Sequence, residues 1–168
     1  MIRSLPALLA AALLAAPPAL AHVTLDPAEA AANASVRVAF RVPHGCAGAA
    51  TTAIEVTLPE GVTMARPMPK PGWTLEVDIR PLARPFPGPH GLIRESPAAV
   101  AWRGGPLADA HYDEFVMILR TPDRPAETLH FPVMQRCEGG ASHAWTEVAD
   151  AANPRPRSPA ATLRLAPR

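Results

Sequence analysis

Apolar and polar residues alternate along most of this chain, in short runs that proline and glycine interrupt. The clearest run covers residues 35–42, where Val36, Val38, Phe40 and Val42 occupy every second position. A period of two predicts a β-strand with one buried face. Shorter runs predict further strands at residues 23–27, 52–58, 74–79, 99–102, 112–119, 128–135 and 142–148.

Proline sets the boundaries of these runs. The chain contains 22 prolines and 10 glycines, and proline both removes a backbone donor and disfavours helix interiors. Seven or eight short strands about ten residues apart are typical of an all-β sandwich. Residues 28–35 form an Ala-rich connection, for which a short helix is one of the alternatives. Residues 80–97, with five prolines, are predicted to be a loop.

The beginning of the chain has the pattern of a signal peptide, predicted over residues 1–21. Arg3 precedes an apolar run at residues 5–16, and Ala19-Leu20-Ala21 is a small-x-small cleavage site. Cleavage between Ala21 and His22 would release a periplasmic or secreted protein. After this point no apolar run approaches the length of a membrane span.

The mature chain is predicted to have one sandwich domain and a tail. The domain is expected over residues 22–148, and residues 149–168, rich in Pro, Ala and Arg, are predicted to be disordered. In an exported chain, Cys46 and Cys137 most simply form one disulfide.

Charge and motif content narrow the functional classes. The full chain has 16 Lys and Arg against 15 Asp and Glu, a balance that gives no electrostatic footprint for nucleic acid. It contains no Gly-x-Ser-x-Gly elbow, phosphate-binding loop or His-Glu-x-x-His motif. We therefore expect a binding protein and not an enzyme.

The position of His22 is the most informative chemical feature. After cleavage its α-amine and its imidazole Nδ1 would form a chelate ring, so that one residue supplies two nitrogen ligands. Cu(II) leads the divalent affinity order and accepts such nitrogen donors in a square-planar arrangement. The alternative is that cleavage simply exposes whichever residue follows the leader.

Several segments in a fixed order resemble the YcnI-like copper-binding domains of exported bacterial proteins. They are HVTL at 22–25, VPHGC at 42–46, PMPKPGW at 67–73, YDEF at 112–115, FPV at 131–133, and Cys137 followed by Trp145. The resemblance implies a cupredoxin-like or fibronectin-III-like sandwich that binds one Cu(II) per chain through an N-terminal histidine, called a mono-histidine brace. It also implies a glutamate ligand, and a tryptophan near the metal, here Trp145.

The implied glutamate is missing from this chain. In the family it lies in the turn after the strand that ends at Val42, but residues 44–51 contain no carboxylate. His44 lies in that turn, so the resemblance predicts His44 as a second imidazole ligand. The alternative is a solvated turn histidine.

Two further residues are candidate ligands. His143 lies two positions before Trp145, so the two side chains share a strand face. The alternative is a solvent-side histidine near the start of the strand. Glu114 could supply the missing oxygen ligand, or serve as a structural acid at a turn.

The resemblance implies a function in copper homeostasis, as a chaperone, a buffer or a protein that delivers copper. The expected partners are the copper ion and an importer or another periplasmic copper protein. Two alternatives stay open at this point, a copper monooxygenase-like enzyme and a metal-free extracytoplasmic interaction domain.

Overall fold

The computed structural model describes residues 22–88 and 91–167, which form an all-β sandwich. The signal peptide predicted at residues 1–21 lies outside the described residues. In chain order the strands are β1 (Thr24–Asp26), β2 (Glu29–Ala30), β3 (Ser35–Val42), β4 (Thr51–Thr57), β5 (Thr63–Pro67), β6 (Trp73–Gly88), β7 (Gly91–Leu107), β8 (Asp113–Arg120), β9 (Thr128–Phe131), β10 (Val133–Cys137), β11 (Ser142–Trp145) and β12 (Ala161–Leu165). A single 3-10 turn, Glu138–Gly140, joins β10 to β11.

Two larger sheets face each other, and a smaller sheet lies beside them. One sheet has the strand order β1-β3-β8-β5, the second β11-β10-β4-β7-β6, and the third β2-β12-β9. All pairings are antiparallel except that of β12 with β2. No helix in the described part of the chain is long and apolar enough to cross a membrane.

The core is built from the alternating residues that the sequence pattern predicts. Val38, Phe40 and Val42 of β3 are fully buried and belong to one cluster with Trp102 and Phe115. Each large apolar side chain buried in this way contributes roughly 1.5–3 kcal/mol. The paired sheets therefore form a single core, which fixes where each strand ends.

The predicted disordered tail is wrong for its last residues. Residues 161–165 form β12, which pairs antiparallel with β9 and parallel with β2. Ala161, Leu163 and Leu165 are buried, with an exposed fraction of 2% or less. An alternation this short inside a Pro- and Ala-rich segment is too weak to indicate a strand before its partners are known.

The predicted loop at residues 80–97 is also wrong. β6 and β7 continue to pair through this segment, with Pro81 opposite Glu95 and Phe86 opposite Ile93. The prolines are tolerated because β6 is an edge strand and because the register shifts between Pro81 and Phe86. We call the part of this hairpin beyond Pro81 and Glu95 the β6–β7 arm.

Pro132 divides the single strand predicted at residues 128–135. β9 ends at Phe131 and joins the small sheet, whereas β10 begins at Val133 and joins the five-stranded sheet. Proline has no N–H to donate, so it fits a point where a chain leaves one sheet for another. This change of sheet places the end of β10 against the turn that follows β3.

Candidate metal centre

Three imidazoles surround one buried indole at an end of the sandwich. The ring of His143 stacks on Trp145 at 3.8 Å between centroids, with an interplanar angle of 4°. His22 and His44 approach the same indole edge-on, at 5.6 Å and 6.3 Å. The three histidines come from the start of the domain, the turn after β3, and β11. The structure thus brings together three of the predicted ligands and the predicted tryptophan.

Trp145 forms the rigid centre of this group. It is 1% exposed and lies opposite Val133 in the pairing of β11 with β10. Its Nε1–H donates a hydrogen bond of 2.9 Å to Oε1 of Gln135. Because the indole is both packed and hydrogen-bonded, its position is fixed, and the three imidazoles contact a ring that does not move.

His22 contains a nitrogen that the protein itself does not use. Its Nε2 atom is buried and makes no hydrogen bond among the described residues. A buried polar atom without a partner is rare, and an absent ligand is one explanation for it. Val23, 2% exposed, anchors the chain directly after His22. Three imidazoles that contact one indole fit a metal that accepts imidazole nitrogen, a donor suited to copper, zinc and nickel.

The turn that carries His44 is held at several points. Asp109 Oδ1 accepts hydrogen bonds from the backbone N–H groups of Gly45, at 3.0 Å, and Gly48, at 3.3 Å. A side chain at Gly45 would place its Cβ only 2.0 Å from the carbonyl oxygen of Ala49, so only glycine fits there. The turn is consequently tight and ordered.

A short hydrogen bond orients the imidazole of His44. Its Nδ1 lies 2.6 Å from the carbonyl oxygen of Gly45. A carbonyl only accepts, so Nδ1 carries the proton and Nε2 carries the lone pair. Fixing one ring nitrogen in this way is how proteins commonly prepare the other for a metal.

His143 is half-buried and bonded to the segment that precedes β12. Its Nε2 lies 2.9 Å from Oγ of Ser158. Burial lowers the pKa of His143, and the neighbouring His44 and His22 lower it further. The lowered pKa favours the neutral imidazole, which is the form that binds metals.

Glu114 lies in a separate network of charged side chains. Its carboxylate accepts hydrogen bonds from Tyr112 and from Arg41, the latter at 3.3 Å, and Arg37 is 3.9 Å away. The hydrogen bond from Tyr112 is the main cause that lowers the pKa of Glu114, and Arg41 adds to it. This placement matches the alternative of a structural acid, and the role of Glu114 as a metal ligand stays a prediction.

The predicted disulfide between Cys46 and Cys137 is present, so neither sulfur is a free thiolate. Cys46 lies two residues after His44, so the bond ties the turn that carries His44 to the end of β10. Within residues 22–88 and 91–167, no three His, Cys, Asp or Glu side chains converge closely enough to hold an ion by side chains alone. What His22, His44 and His143 share is their contact with Trp145, and we call these three residues the histidine group.

The sequence pattern did not indicate two residues that lie near this group. Gln135 is 0% exposed and bonds to Trp145, and Asp109 holds the His44 turn. A polar residue at a core-facing position between Val133 and Cys137 was a usable signal for Gln135. Asp109 is a loop acid whose partner is 64 residues away in sequence, and no local pattern marks it.

Comparison with known proteins decides the family. The model of a domain of unknown function, DUF1775, matches residues 22–165, from the first histidine of the group to the end of β12. The chain belongs to the DUF1775 family. This match, together with the relative described next, confirms the YcnI-like resemblance seen in the sequence.

Two relatives extend the comparison for this DUF1775 chain. The copper-binding protein CutI of Bacillus subtilis (strain 168) is 25% identical over 151 residues, which cover 89% of this chain and 67% of CutI. A crystal structure from Nocardia farcinica with an immunoglobulin-like fold is 35% identical, with a TM-score of 0.67, covering 86% of this chain and 98% of that one. The predicted all-β sandwich is confirmed.

Proposed function

We propose that this DUF1775 protein is exported, begins at His22 after processing, and binds one Cu(II) per chain. The observation that carries the proposal is the convergence of His22, His44 and His143 on Trp145. The relative CutI, whose name states copper binding, supports copper over other metals that accept imidazole. The disulfide supports an extracytoplasmic location, where such bonds persist.

The proposed ligands are nitrogen atoms. Once the leader is removed, His22 supplies its α-amine and Nδ1 as a chelating pair. His44 supplies an imidazole nitrogen from the turn after β3, where its ring lies against Trp145. His143 is the candidate for a further position, because its ring stacks on Trp145 beside the other two histidines. Nitrogen donors of this kind suit Cu(II).

We propose that the protein binds and transfers copper and catalyses no reaction. The suggested role is copper homeostasis, with an importer or another periplasmic copper protein as the partner. A buried indole packed against the imidazoles supports this role, since it covers one side of the site with an unreactive surface.

The decisive experiment is a Cu(II) titration of the protein that begins at His22, before and after acetylation of its α-amine. Acetylation turns the α-amine into an amide and leaves no free amine to close the chelate ring, so we expect at least a hundredfold loss of affinity. Equal affinity would exclude the brace and favour binding through Nε2 of His22 alone.

His130 provides a matched control for His22. Its Nδ1 is also buried without a hydrogen-bond partner, yet it lies on β9 in the small sheet. His22→Ala should abolish tight Cu(II) binding, whereas His130→Ala should leave the affinity within twofold of the parent. Loss of binding in His130→Ala would place the metal elsewhere.

A further inference from the structure

Gln135 is a completely buried amide that links the segments carrying the histidine group. Its Nε2 donates to the backbone carbonyl of His44 at 2.7 Å and to Oγ1 of Thr51 at 2.8 Å. Its Oε1 accepts the hydrogen bond from Trp145 at 2.9 Å. Both amide hydrogens and the amide oxygen are therefore engaged, and each partner lies on a different segment.

A buried amide is costly unless all its bonds are made, so its presence here needs an explanation. An apolar side chain would fill the same core position without that cost. What an apolar side chain cannot do is bind the His44 carbonyl and the indole N–H at once. The amide thus fixes the backbone of His44 relative to the ring of Trp145.

The disulfide does not make this link redundant. Cys46–Cys137 joins the same two segments as Gln135 and His44, but two residues further along each. The disulfide and the hydrogen bonds to Asp109 hold the turn at Gly45, Cys46 and Gly48, all of which follow His44. By themselves they leave the backbone at His44 free to pivot. The second attachment through Gln135 removes that freedom on the side where the His44 ring meets Trp145.

We infer that Gln135 is a positioning residue for the copper centre, which sets the His44 imidazole against the Trp145 indole without touching the metal. This inference rests on the proposed function. Residues that orient metal ligands typically change affinity by about ten- to a hundredfold when replaced.

The test compares Gln135→Met with Thr121→Val. Methionine keeps the length of the side chain and removes every hydrogen bond. Thr121 is the matched control because it is 2% exposed and, like Gln135, has a side chain that makes three hydrogen bonds. Its hydroxyl bonds the N–H of Ala34 and the carbonyls of Ala31 and Ala34. It follows β8 beside the start of β3, whereas His44 follows the end of β3.

We expect Gln135→Met to lower Cu(II) affinity ten- to a hundredfold and to alter the nitrogen hyperfine pattern of the copper EPR spectrum. Thr121→Val should reduce thermal stability but leave affinity within twofold and the spectrum unchanged. In metal-free protein, the NMR resonances of the Trp145 indole N–H and the His44 ring should shift in Gln135→Met only.

Unchanged affinity and EPR in Gln135→Met would overturn the inference, as would equal losses of affinity in both variants. If Gln135→Met does not fold, Thr51→Val removes one of its partners and should give a smaller loss with the same spectral change. If the parent protein fails to bind Cu(II), the proposed function is wrong. The metal-free His44 resonance then decides by itself whether Gln135 positions that ring.

Discussion

The two ends of this sandwich are built by different means. At the end with the histidine group, a disulfide, the buried amide of Gln135 and the acid Asp109 join segments far apart in sequence. At the other end, the β6–β7 arm is a local hairpin. It leaves an open cavity of about 590 Å³, which Phe86 and Ile93 line together with residues near the ends of β5 and β8.

The two ends therefore differ in how closely their side chains are positioned by other side chains. The arm continues the backbone pairing of β6 with β7, and its Leu92 remains 49% exposed. The histidine group depends on side-chain bonds that span 91 residues between His44 and Gln135. Changes at the histidine end should therefore affect both stability and metal binding, whereas changes in the arm should affect neither strongly.

Removing the disulfide should give the largest effect. The bond joins residues 91 positions apart, and the chain-entropy model assigns a loop of that size about 4–5 kcal/mol. We expect the double variant Cys46→Ala, Cys137→Ala to lose stability of that order in urea unfolding. A loss below about 1 kcal/mol would show that the hydrogen bonds of Gln135 and Asp109 hold this end without the disulfide.

Replacing His44 should selectively weaken the metal site. His44→Ala is expected to reduce Cu(II) affinity by at least tenfold, or about 1.4 kcal/mol, and to change the copper EPR spectrum. The exposed His111 is the control, and His111→Ala should have no effect. If His44→Ala binds normally while Glu114→Gln does not, the second ligand is Glu114.

Glu55 is a paired charge on the solvent-facing side of the five-stranded sheet, and its replacement measures what that charge contributes to stability. The hydrogen bond from Arg136 is the main cause that lowers the pKa of Glu55 from its usual 4.5, and Arg103 adds to it. A lowered pKa in the folded state means that the ionised group stabilises the fold above the unfolded pKa, and that this contribution is lost as pH falls through the folded pKa.

Glu55→Gln should therefore reduce the free energy of unfolding by about 1 kcal/mol at pH 7, as for other paired surface charges. The difference from the parent should shrink as the pH falls below about 4.5. Urea unfolding at pH 7 and pH 3 measures both values. A difference that does not change with pH would contradict the role of the Glu55 charge.

Shortening the arm should give the smallest effect. Replacing residues 82–94 by Asn-Gly would join Pro81 to Glu95, its partner in the pairing of β6 with β7, through a two-residue turn. We expect stability within about 1 kcal/mol and Cu(II) affinity within twofold of the parent. A larger loss of affinity would show that the two ends are coupled.

Local pattern explains what could be predicted. The strands β3, β4 and β8 were predictable because alternation is a property of neighbouring residues, and the disulfide because the chain has only two cysteines. β12 and the β6–β7 arm were not, because prolines and a low-complexity segment mask the alternation there. Both elements become strands only when a partner edge supplies hydrogen bonds.

The sequence by itself determined the sandwich, the disulfide, and the resemblance that named His22, His44 and Trp145. Only the tertiary structure decided that His143 stacks on Trp145, that Glu114 pairs with Tyr112 and Arg41, and that the buried amide of Gln135 joins His44 to Trp145. The physical reason is the distance along the sequence over which each feature is set. Alternation is set by adjacent residues, but the role of a polar side chain depends on which partner the folded core places within about 3 Å of it.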